Sequence, residues 1–205
     1  MVLRVNELYH RYGKRQVLRG VTFDVLPGSL VGVVGENGAG KTTLLRILCG
    51  ELTPTTGTAS VSGRLGYCPQ HVVLNDAFTV AQHLAFFQVA YGLPDLSYAH
   101  ELIDVLQFAD FLDERVGVLS GGTRQKLNLT IALMHDPDVL LLDEPYQGFD
   151  WETYLRFWEL AQRLRDRGRS VLVISHLAYD ADRLDTLHRL AAGVLCEGTT
   201  SHGGR

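Results

Sequence analysis

The most constraining feature of this chain is a junction. The nearly all-apolar run Leu30–Val34 leads straight into Gly35-Glu36-Asn37-Gly38-Ala39-Gly40-Lys41-Thr42. A segment with helical apolar spacing, at Leu44, Leu45 and Leu48, follows and is closed by Gly50. A short apolar run of this kind marks a strand buried on both faces. G-x-x-x-x-G-K-[ST] between such a strand and a helix is a loop built to hold phosphate. Glycine lets the backbone adopt conformations that a Cβ forbids, so successive amides can turn inward. Those amides, with the helix N-terminus behind them, form an anion nest. Lys41 adds a positive charge for the β- and γ-phosphates, and Thr42 a hydroxyl placed to bind Mg²⁺. Gly35, Asn37, Gly38, Ala39, Gly40, Lys41, Thr42 and Thr43 are the expected nucleotide contacts.

A second apolar run, Val139–Leu142, ends in Asp143-Glu144. In open α/β sheets ligands bind beyond the carboxyl ends of the strands, which is where this run delivers its two acids. Asp143 is expected to hold Mg²⁺ and Glu144 to orient and deprotonate an attacking water. A base next to the metal ligand suits hydrolysis rather than transfer to a second substrate.

The remaining periodicities set the frame. Residues 1–9 and 17–26 alternate as strands around a turn at Gly13, short strands are expected near 57–62 and 64–68, and Val171–Ile174 is a third buried strand. Helical spacing occupies two or three segments of 79–115, then Gly121–Met134 and Trp151–Arg167, the last closed by Gly168. A helix is also expected over 178–187 and a last hairpin over 188–197. Buried strands separated by helices mean an α/β domain with a mostly parallel sheet.

Leu119-Ser120-Gly121-Gly122 lies between the phosphate loop and Asp143. In that position it resembles the signature motif of the ABC ATPases. The resemblance covers roughly residues 2–197 and implies that Ser120, Gly121 and Gly122 contact the γ-phosphate of nucleotide held by a second subunit. Other positions follow the family pattern in order. Tyr12 matches the aromatic that stacks on adenine. Gln70, after Gly66-Tyr67-Cys68-Pro69, matches the glutamine that senses Mg²⁺ and the attacking water. Asp150 matches the aspartate that communicates across the dimer, and His176 the switch histidine that contacts the γ-phosphate. The implied catalytic set is Glu144, His176, Gln70 and Lys41, the implied metal set Thr42, Gln70 and Asp143, and the implied cofactors are ATP and Mg²⁺. Thr123, Ile131 and Phe149 depart from common family residues, and none removes a group with an assigned chemical role. The implied fold is a P-loop NTPase with an N-terminal antiparallel β subdomain and an inserted α-helical signature subdomain at approximately 75–135. Together these make one ABC ATPase domain over 1–197, with a loose tail at 198–205.

Composition narrows the partners. A net charge of −4 leaves no electrostatic footprint for nucleic acid. The three cysteines, Cys49, Cys68 and Cys196, form no CxxC pair, which suits a reducing cytosol. No apolar run approaches the roughly 20 residues that span a bilayer. The expectation is an ATP-hydrolysing subunit of an ABC transporter, in a homo- or heterodimer of ABC ATPase subunits, cytoplasmic and peripheral at the inner face of the cell membrane, driving a multispanning permease. Export is favoured over import by analogy, from the Gly35–Thr43 loop, a short hairpin before Gln70 and no regulatory domain after the switch region. A non-transport ABC ATPase of ribosome or DNA-repair association is the alternative from another class.

Overall fold

The computed structural model describes residues 1–70, 74–176 and 181–197. Strands β1 (Leu3–Tyr12) and β2 (Arg15–Val25) form a hairpin closed by Gly13-Lys14, longer than the alternation alone implies, and β4 (Thr56–Val61) pairs on the other side of β1 to complete an antiparallel sheet. The second sheet has the order β5 (Leu65–Cys68), β6 (Val139–Asp143), β7 (Ser170–Ser175), β3 (Leu30–Val34), β8 (Thr186–Ala191), β9 (Val194–Glu197). Its first five strands run parallel and β9 is antiparallel at the edge.

Alternation inside the apolar runs explains why they carry no polar face. Leu140 and Leu142 of β6, with Val171 and Val173 of β7, pack under one group of helices. These are α2 (Val80–Tyr91), α3 (Ser97–Leu106), α4 (Gly121–Leu133) and α5 (Trp151–Asp166). Val139, Leu141, Leu172 and Ile174 face the other way, against α1 (Lys41–Leu48) and the β1–β2 hairpin. Both sheet faces are covered, so both must be apolar.

Two expectations fail. The strands at 57–62 and 64–68 exist but are no hairpin: β4 belongs to the antiparallel sheet and β5 to the parallel one. Each finds a long-range partner, β1 and β6 respectively, in place of its sequence neighbour. The helix over 178–187 is replaced, among the described residues, by a single 3₁₀ turn at Ala181–Arg183 and then β8. The free edge of β3 decides this. Asp185 receives a hydrogen bond from the Leu30 amide (2.8 Å) and returns its own amide to the Leu30 carbonyl (2.9 Å), which locks Thr186–Arg189 beside Val31–Val34. Residues 177–180, and the tail at 198–205, lie outside the described residues.

Candidate functional site

Parallel register brings the carboxyl ends of four strands to one level. Cys68 pairs with Leu142, Asp143 with Ile174, and Val34 with Ser175. The chain therefore delivers Gln70, Asp143, Glu144, His176 and the loop from Gly35 to the same rim of the sheet. A cleft of about 470 Å³ opens there, lined by Tyr12, Arg15, Val17, Asn37, Gly38, Gly40, Lys41, Thr42, Thr43, Gln70, Asp143 and Glu144.

The loop is shaped from within. Lys41 Nζ donates to the carbonyls of Gly35 (2.6 Å) and Glu36 (3.2 Å), which braces the turn it closes. Gly40, at φ +109°, starts α1 with no side-chain cap. The first-turn amides of a helix have no partners within it, so this end offers donors to an anion. Gly35 and Ala39 stand on the back of the loop instead. With Arg189, Leu190 and Ala191 they line a second cavity of about 410 Å³, which shares Asn37 and Gly38 with the cleft. A Cβ at Gly35 would run into the Leu190 carbonyl.

Glu144 is buried and held on both oxygens. His176 Nδ1 lies 2.8 Å from Oε1, and the Ser175 hydroxyl donates to Oε2 at 3.4 Å. An ionised carboxylate only accepts, so the contact suits a ring N–H at Nδ1 of His176. Glu144 adopts φ +50°, with its amide bonded to the Ile174 carbonyl at 2.9 Å. A left-handed conformation at a non-glycine residue costs about 1–3 kcal/mol and collects at functional sites. Asp143 is buried beside it at the cleft wall. Thr42, Gln70 and Asp143 thus present a hydroxyl, an amide oxygen and a carboxylate to one space, a set of hard oxygen donors suited to Mg²⁺. Burial, then the charge of Asp143, pushes the Cys68 thiol far above its ordinary range, and burial above all raises Cys49 to about 12. Both sulfurs are protonated core groups rather than nucleophiles.

Ser120, Gly121, Gly122 and Asp150 do not line this cleft. Ser120 caps α4: its hydroxyl oxygen accepts from the Thr123 amide at 3.1 Å and lies 2.9 Å from the Thr123 hydroxyl. Asp150 caps α5, accepting from the Thr153 amide at 2.7 Å. Hydrogen bonds from the Thr153 backbone and side chain hold its carboxyl below the usual range. The two caps meet where Gly122 packs on the backbone of Gly148. Sequence reading missed Arg15, Val17 and Ser175. Ending the first strand at residue 9 and starting the second at 17 hid the Tyr12–Arg15 pair across the turn. No local signal marks Ser175, whose partner Glu144 is remote in the chain.

A family model described as ABC transporter matches residues 18–147. The chain is 36% identical to the Nod factor export ATP-binding protein I of Ralstonia nicotianae, over 89% of this chain and 62% of that protein. It is 38% identical to the protein of the same name from Paraburkholderia xenovorans, over 87% of this chain and 63% of that one. The chain therefore spans less than two thirds of the length of these relatives. A solved structure of an ATP binding subunit of an ABC transporter superposes with a TM-score of 0.90 at 28% identity, covering 97% of this chain and 90% of that one.

Proposed function

From the premise that this chain belongs to the ABC transporter family of ATP-binding cassettes, we propose that it binds and hydrolyses ATP in a dimer of such subunits and so drives transport through a separate membrane-spanning partner. The observation that carries the reading is the convergence in one cleft of Tyr12, Gly38, Gly40–Thr43, Gln70 and the Asp143-Glu144 pair, from four separate parts of the chain.

In this reading adenine stacks on Tyr12, and the phosphates lie on the amides at the start of α1 beside Lys41. Thr42, Gln70 and Asp143 would hold Mg²⁺, which when bound neutralises charge on the phosphate oxygens. Glu144 takes a proton from water as the water oxygen bonds to the γ-phosphorus. The bond from that phosphorus to the bridging oxygen breaks, and ADP leaves with the electron pair. His176, bonded to Glu144 Oε1, fixes the carboxylate's orientation. Ser120–Gly122 do not line this chain's own cleft and would complete the cleft of a second subunit, which would make the site an interface between two subunits.

Export as the direction draws on the names of the two relatives. No helix among the described residues is long and apolar enough to cross a membrane. In this reading a separate chain spans the membrane and this one sits at its inner face. Phe78, Phe86, Val89 and Tyr91 of the α2 region are exposed, an apolar surface of the kind that marks a partner site. Phe87 packs against the core and leaves that surface.

Glu144→Gln tests the chemistry. Phosphate release should fall by about a hundredfold or more, with ATP binding retained. Hydrolysis at the wild-type rate would remove Glu144 from its role. Purification from membranes should bring a multispanning protein with this chain, and co-sedimentation with ribosomes would favour a non-transport machine.

A further inference from the structure

Helix α4 has a polar residue where its surroundings are apolar. Asn128 is buried between Leu127 and Leu129, which are both fully enclosed. Its side-chain amide makes two bonds to the end of β5: Nδ2 donates to the Pro69 carbonyl at 2.9 Å and to Cys68 Sγ at 3.2 Å. Gln125, one turn earlier, reaches the same sulfur at 3.7 Å. A buried amide is costly unless it is bonded. If holding α4 against β5 were all that was required, an aliphatic side chain there would do it.

The target of the bond is informative. Pro69 has its φ fixed by the ring, so the plane of the 69–70 peptide is set by one remaining torsion. A hydrogen bond to the Pro69 carbonyl pins that torsion, and with it the direction in which Gln70 leaves the strand into the cleft. The same helix begins at Ser120, about 12 Å away along its axis at 1.5 Å per residue.

We propose that Asn128 is a positioning residue for Gln70. It ties the helix whose tip is Ser120 to the peptide that aims the cleft's glutamine. On the function proposed above, this links the end of α4 that meets a neighbour's nucleotide to the residue that attends Mg²⁺ and water in this chain's own cleft. A displacement of α4 is passed to the peptide before Gln70 through the Asn128 amide.

The test is a double-mutant cycle on the full chain, with Asn128→Leu, Gln70→Ala and the pair. Asn128→Asp, of the same shape but without the donor, serves as a second probe. Asn128→Leu should lower kcat about tenfold, as loss of an outer partner of a metal site does, with KM for ATP unchanged. In the Gln70→Ala background it should cost nothing more. Binding gives an arm independent of turnover. The gain in affinity that Mg²⁺ brings to a non-hydrolysable ATP analogue should shrink in Asn128→Leu and Asn128→Asp and be unaffected by them once Gln70 is alanine. Equal losses in both backgrounds, or a lowered melting temperature with kcat and the Mg²⁺ gain intact, would reduce Asn128 to a packing residue and overturn the proposal. Failure of the wild type to hydrolyse ATP would strike the proposed function alone, since the binding arm still decides the role of Asn128.

Discussion

The cleft at the rim of the parallel sheet and the tip of α4 are both built around a helix N-terminus, yet they end differently. At the start of α1, no side chain caps the helix and four parts of the chain gather around it. At the start of α4, Ser120 spends its hydroxyl on Thr123, and the neighbouring element is the backbone of Gly148. The first is a binding site with walls. The second is a finished helix end with one open side, at Gly121, where an added Cβ would meet nothing. On the proposed function the two would meet only across a dimer, the tip of one subunit against the cleft of the other.

Four substitutions break or sharpen this contrast. The largest effect is expected from Ser120→Arg. A bulky charge at the tip should abolish dimer-dependent hydrolysis, by about a hundredfold or more if the tip supplies transition-state contacts, and leave nucleotide binding by a single chain intact. Turnover at the normal rate would mean that the tip faces no nucleotide. Next is Tyr12→Ala at the cleft. Loss of one stacking surface worth about 1–3 kcal/mol should weaken ATP binding roughly tenfold, measured by titration with a fluorescent analogue. Unaltered affinity would detach the hairpin from the site.

The smallest effect, and the sharpest, compares two adjacent glycines. Gly122→Ala drives a methyl group to within 2.5 Å of the Gly148 carbonyl oxygen and should lower stability by about 1–3 kcal/mol, the usual cost of overpacking. Gly121→Ala should leave the melting temperature of the single chain unchanged and lower hydrolysis only in the dimer. If both behaved alike, the open side of α4 would have no occupant.

Much of the site was legible in the chain. The loop before Lys41 and the acids after Val139–Leu142 are motifs whose backbone geometry is fixed within a few residues. The parallel sheet followed from the same apolar runs. What failed did so at long range. The helix expected over 178–187 overran into Thr186 and Leu187, which pair instead with Val31 and Gly32, more than 150 positions earlier, while the hairpin expected over 188–197 is present as β8 and β9. Thr56–Val61 and Leu65–Cys68 read as a hairpin because they are neighbours, until each finds a better partner in a different sheet.

By itself the sequence determined the groups on offer: a glycine-rich loop between strand and helix, two adjacent acids at the end of an apolar strand and a Ser-Gly-Gly turn opening a helix, each specified by local backbone preference. Tertiary structure alone decided their relations. It placed Ser175 and His176 on Glu144, Arg15 and Val17 in the cleft, Asn128 against Pro69, and Gly122 on Gly148. Those contacts join residues that no short window contains, and burial and strand pairing summed over whole elements outweigh the small free-energy differences by which a short segment prefers one conformation.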